Sequence, residues 1–105
     1  MEKRRPIARV FAPGEFIREE LQARGWSQGE LARIIGRPLQ VVNQIINGRK
    51  EITPNTALAL GEAFGTGAEV WINLEGQYRL SLVGKPDPKI AKRAAALLHR
   101  RKVAA

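Results

Sequence analysis

Four side-chain amides, Gln40, Asn43, Gln44 and Asn47, fall at i, i+3, i+4 and i+7 in a stretch that also holds Val41, Val42, Ile45 and Ile46. This spacing puts the amides on one side of a helix and the aliphatic residues on the other. An ordinary solvated face is rich in Lys and Glu. Asparagine is a mediocre helix former, so its presence here calls for another reason. A side-chain amide both donates and accepts, and in the major groove it can bond two edge atoms of adenine at once. Gln40 and Gln44 lie about 6 Å apart along such a helix, close to two base-pair steps, and so can reach neighbouring base pairs. Leu39, just ahead of them, has two readings: contact with a thymine methyl, or a place in the core.

Base-reading amides need a module that sets their register. Gln28 falls at the predicted N-terminus of the preceding helix, where free N–H groups and the helix dipole favour an anion. Arg37 lies in the turn between the two helices, and Arg49 and Lys50 follow the amide helix. These four, with the Asn47 side chain, are the candidate phosphate contacts, leaving Leu39, Gln40, Asn43 and Gln44 to read bases. Asn47-Gly48 also reads as a plain helix C-cap in the left-handed conformation, which does not exclude a phosphate bond.

Local signals place six helices and no strand. Pro13-Gly14-Glu15 opens the first, with Phe16, Ile17 and Leu21 on one face, and Gly25 ends it. Ser27 and Glu30 form a capping box, with Trp26 and Leu31 placed as a hydrophobic staple, for a second helix over about residues 28–35. Gly36 closes it. Pro38 suits the first turn of the third helix, which runs to Asn47-Gly48. Thr53-Pro54 opens a fourth that buries Leu58, Leu60 and Phe64 and stops at Gly65. Thr66 with Glu69 repeats the capping box ahead of a fifth helix through Val70, Trp71, Leu74 and Tyr78. After the Gly84–Pro88 linker, Asp87 can cap a last helix with Ile90, Ala94, Leu97 and Leu98 on one side.

The chain has 105 residues and a net charge of +8, unevenly spread. Residues 1–9 carry +3 and residues 85–105 carry +6, leaving −1 for everything between. Basic ends of this kind attract polyanions such as nucleic acid, or serve only as solvated tails. The longest clean apolar run, Ala94 to Leu98, is far short of the roughly 20 residues that span a bilayer. Residues 1–14 lack the apolar stretch of a secretion signal, so the expectation is a cytoplasmic protein with no membrane partner. With no cysteine and one histidine, His99, the chain has neither a disulfide framework nor a metal cluster to offer. No cofactor and no enzyme activity are expected. The organisation expected is a basic arm over 1–12, a helix-turn-helix domain over 13–83, and a linker with a basic helix over 84–105.

From Pro13 to Tyr78 the chain resembles the HigA-type antitoxins of the Xre helix-turn-helix family. The resemblance rests on Pro-Gly-Glu at 13–15, Gly-Trp-Ser-Gln at 25–28, Leu-Ala at 31–32, Asn-Gly at 47–48, Ile-Thr-Pro at 52–54 and Trp-Ile-Asn-Leu at 71–74. It implies an all-α, five-helix lambda-repressor-like domain, here with an additional basic C-terminal helix. It further implies a homodimer on double-stranded operator DNA that represses its own operon and neutralises an mRNA-cleaving toxin of HigB type. Gln40 and Gln44 fall where phage repressors of this fold place base-reading glutamines. In place of the Ser or Thr cap common ahead of the third helix, this chain has Arg37-Pro38.

Several readings stay open. Trp71, Leu74 and Tyr78 form a helical stripe that suits either the core or a dimer seam. Glu15, Glu19 and Glu20 are a candidate toxin contact, or a solvated face with a Glu20–Arg24 ion pair. The basic last helix can wrap phosphates, bind a partner or fray. Two alternatives to the antitoxin are a stand-alone Xre-type regulator without a toxin, and a protein-interaction adaptor that no longer binds DNA.

Overall fold

The computed structural model describes residues 11–104, which form six helices and no strand: α1 (Pro13–Arg24), α2 (Gln28–Ile35), α3 (Leu39–Ile46), α4 (Pro54–Phe64), α5 (Ala68–Val83) and α6 (Pro88–Ala104). The all-α expectation holds. Most of the basic arm assigned to residues 1–12 lies outside the described residues.

Helix ends follow local chemistry in most places. Ser27 Oγ accepts from the Glu30 N–H at 3.0 Å while the Glu30 carboxylate accepts from the Ser27 N–H at 2.8 Å, a reciprocal capping box. Thr53 caps α4 ahead of Pro54, and Gly25, Gly36 and Gly65 close α1, α2 and α4 in the left-handed conformation. Two starts differ from expectation. Pro38 is the N-cap of α3 rather than part of its first turn. The Thr66–Glu69 box does not form, and Gly67 is the N-cap of α5. Thr66 Oγ1 instead accepts from the Trp71 indole N–H at 2.8 Å and donates to the Gly67 carbonyl at 3.0 Å. A buried indole N–H without an acceptor costs more than an uncapped, exposed helix start.

One core closes over α1 to α5. Ile17 and Leu21 share one cluster with Leu31, Ile35, Val42, Ile45 and Ile46, and Ile52, Ala57, Leu60, Phe64 and Trp71 extend it. Trp71 is 1 % exposed and lies 5.6 Å from Phe64, which stacks on Trp26 at 6.0 Å between ring centroids. The Arg24 guanidinium lies over the Trp26 and Phe64 rings and donates to the Phe64 carbonyl at 2.8 Å. Leu58, expected in this core, is 60 % exposed, because α4 turns Ala57, Leu60, Gly61 and Phe64 inward. On α5 the inward pair is Trp71 and Glu75, and Glu75 is satisfied by Arg79 one turn on. That hydrogen bond holds the Arg79 guanidinium above its ordinary pKa.

Two glycines set the closest helix contacts. A Cβ on Gly14 would lie 1.8 Å from the Ile46 carbonyl oxygen, and one on Gly61 would lie 2.4 Å from the Gly67 backbone. The first lets α1 approach the end of α3, and the second lets α4 approach the start of α5. The packing stops at the last turn of α5. Gly84 turns the chain at φ 80°, ψ −148°, Asp87 Oδ1 accepts from the Lys89 N–H at 2.9 Å to cap α6, and every residue from Leu80 to Val103 is exposed.

Candidate nucleic-acid interface

The α2–α3 unit is built from the caps outward. The Arg37 N–H donates to the Ala32 carbonyl at 3.0 Å, closing the turn through Gly36, Arg37 and Pro38. Val42, Ile45 and Ile46 then anchor α3 on the core with Val41 partly covered. The opposite side turns to solvent. Gln40 and Asn43 are exposed, Gln44 is half-buried, and Leu39 is 54 % exposed, which removes the core reading for Leu39.

The candidate phosphate contacts surround this face. Gln28 sits half-buried on the first turn of α2, and Arg49 and Lys50 are exposed beyond α3. Arg37 is half-buried in the turn, with one guanidinium nitrogen donating to the Ile35 carbonyl at 3.1 Å. Asn47 is the C-cap residue of α3 at φ −87°, and the left-handed position falls on Gly48 at φ 77°.

These side chains are joined to one another. Arg18 of α1 donates from Nη2 to Asn47 Oδ1 at 2.9 Å, Asn47 Nδ2 donates to Asn43 Oδ1 at 3.2 Å, and Asn43 Nδ2 donates to Gln28 Oε1 at 3.2 Å. Three of the amides singled out in the sequence are thereby brought into one strip. Arg18 was not among them, and it is 29 residues from Asn47, so no local signal points to it. Gly14, one turn earlier on α1, is what lets α1 come near enough to α3.

The aromatic stripe divides. Trp71 is filled into the core of the single chain, with its N–H bonded to Thr66, so it is not available to a dimer seam. Leu74 and Tyr78 are half-buried, and the Tyr78 hydroxyl lies 3.8 Å from where a Cβ on Gly48 would stand. On α1 the Glu20–Arg24 ion pair is formed. Glu15 and Glu19 line, with Phe11 and Phe16, an open cleft of about 370 Å³. Among the described residues, no three His, Cys, Asp or Glu side chains gather to hold a metal ion, and no helix is long and apolar enough to cross a membrane.

Two helices joined by a short glycine-containing turn, the second anchored by one face and bare on the other, are the architecture of a helix-turn-helix protein. The helix-turn-helix family HTH_3 matches residues 17–71, and the chain belongs to that family. Over 79 residues it is 37 % identical to virulence-associated protein I of Dichelobacter nodosus, covering 74 % of this chain and 73 % of the relative. A HigA-family addiction module antidote protein from Coxiella burnetii has a similar structure, with a TM-score of 0.67 and 32 % identity over 88 % of this chain and 94 % of that one. So does the Pseudomonas aeruginosa antitoxin HigA solved with the higBA promoter, at a TM-score of 0.68 and 30 % identity over 87 % and 94 % of the two chains. The likeness to HigA-type antitoxins inferred from the motifs therefore holds for family and fold.

Proposed function

We propose that this protein is a sequence-specific DNA-binding antitoxin that represses its own operon. The observation that carries the proposal is the solvent-facing side of α3, where Leu39 and Gln40 stand clear of the core, with Gln44 half-buried beside them, in a helix whose other side is locked to it. In this reading α3 enters the major groove. Gln40 and Gln44 bond base edges, Leu39 meets a thymine methyl, and Asn43 stands at the centre of the same face. Gln28, Arg37, Asn47, Arg49 and Lys50 hold the backbone phosphates on either side. The likeness to an antitoxin HigA solved with the higBA promoter supports DNA as the partner.

Two half-sites require a second copy related by a two-fold axis. Helix α5 offers Leu74 and Tyr78, half-buried in the single chain, beside exposed Ile72, Leu80 and Val83. The toxin partner in this reading is a basic, HigB-type mRNA-cleaving enzyme, and the Glu15 and Glu19 rim of the α1 cleft is the surface offered to it. A stand-alone regulator would use the same DNA contacts and leave that rim bare.

Selection of bound duplexes from a random pool tests the DNA reading. The expected product is a palindrome with half-site centres about one helical turn, 34–36 Å, or a multiple of it apart; an unenriched pool sinks the reading. The antitoxin function is tested by expressing a neighbouring small open reading frame alone and with this chain. Growth arrest that co-expression relieves supports it, whereas a neighbour harmless on its own leaves the stand-alone regulator.

A further inference from the structure

The strip from Arg18 to Gln28 has a direction. Each amide in it could be turned either way, since one end of an amide donates and the other accepts. Arginine cannot be turned, because a guanidinium only donates. Facing Arg18, Asn47 must present Oδ1, and this leaves its Nδ2 toward Asn43. Asn43 must then present Oδ1 to Asn47 and Nδ2 to Gln28, and Gln28 must turn its Oε1 inward. The end of the strip is a Gln28 amide whose NH₂ group is left for something outside the protein, at the N-terminus of α2, where an anion is favoured.

We infer that Arg18 is a positioning residue for DNA binding: through Asn47 and Asn43 it sets the polarity of the Gln28 amide, so that Gln28 offers two donors, and no acceptor, to a backbone phosphate. The inference rests on the DNA-binding reading above and gives Asn43 and Asn47 a different part within it. Both polar ends of Asn43, and likewise of Asn47, are engaged inside the protein, so their work is to pass orientation from α1 and the end of α3 to α2. Sequence discrimination then falls on Leu39, Gln40 and Gln44, and phosphate contact on Gln28, Arg37, Arg49 and Lys50. Gly14 belongs to the same device, since the backbone approach at Ile46 brings Arg18 beside Asn47.

The test is a set of affinity cycles on full-length protein, using the duplex recovered by selection and a shuffled duplex at one fixed salt concentration. Gln28→Ala and Arg18→Met are each expected to weaken both duplexes alike, by about tenfold, the scale of a lost charge-assisted contact. Combined, they should fall about threefold or more short of the product of the single effects, because residues in one hydrogen-bonded network are coupled. Any direct pull of the Arg18 charge on DNA is the same with or without Gln28 and cancels from this comparison. Asn43→Ala should abolish the Arg18–Gln28 coupling and cost equally on both duplexes. In the free protein, the Gln28 side-chain amide resonance should shift on Arg18→Met and stay put when Asn43→Ala is already present, a readout that loss of fold does not mimic. Multiplicative effects of Arg18→Met and Gln28→Ala, or a loss confined to the selected duplex on Asn43→Ala, overturn the inference while leaving DNA binding intact. A wild-type chain that binds no duplex overturns both.

Discussion

The α2–α3 unit and α6 make opposite use of their side chains. Helix α6 holds Lys89, Lys92, Arg93, Arg100, Arg101 and Lys102 with no residue buried up to Val103, so its charge is abundant and no side chain anchors it in the core. The solvent-facing side of α3 carries no charge, yet its backbone is fixed by Val42, Ile45 and Ile46 in the core. Recognition of a base edge needs donors and acceptors held in place, whereas attraction to a polyanion needs only net charge within a Debye length. On the proposed function, the two regions separate specificity from bulk electrostatics.

The contrast in anchoring can be broken most severely at Trp71. Trp71→Ala removes a buried ring and the hydrogen bond its indole donates to Thr66, and is expected to cost about 3–5 kcal/mol in chemical denaturation. An equivalent truncation on α6, Leu98→Ala, should change stability by less than about 0.5 kcal/mol; equal losses at the two sites would show that α6 packs after all. The chemical contrast is sharpened by Gln40→Ala and Gln44→Ala. Each should weaken the selected duplex by about 1–3 kcal/mol and a shuffled duplex little, as judged by titration against both. The smallest effect on specificity is expected from deleting residues 85–105. If several of the removed bases touch phosphate, the dependence of log affinity on log salt flattens by several units, with the ratio of selected to shuffled affinity kept. An unchanged slope assigns them to solvent.

What could be read from the sequence was what local chemistry decides. Ser27 with Glu30, Thr53 with Pro54, and the glycines at 25, 36 and 65 act within a few residues of themselves, and the structure uses them as expected. The exposed amide face of α3 was legible for the same reason, being a matter of helical period. What escaped depends on neighbours far along the chain. Thr66 looks like a cap until the Trp71 indole needs an acceptor. Leu58 looks like core until the close approach at Gly61 fixes which face of α4 turns inward. The stripe of Trp71, Leu74 and Tyr78 has the period of a seam, but the inward direction of α5 is set by Trp71 and Glu75. Arg18 shows nothing locally that marks it out, and only the crossing of α1 over the end of α3 gives it a partner.

The two tryptophans, the only ones in the chain, both lie against Phe64. Intrinsic fluorescence therefore reports the interior of the α1–α5 bundle. It is blind to α6, which has no tryptophan or tyrosine of its own, so following that helix as it meets a nucleic acid or a protein requires an added dye.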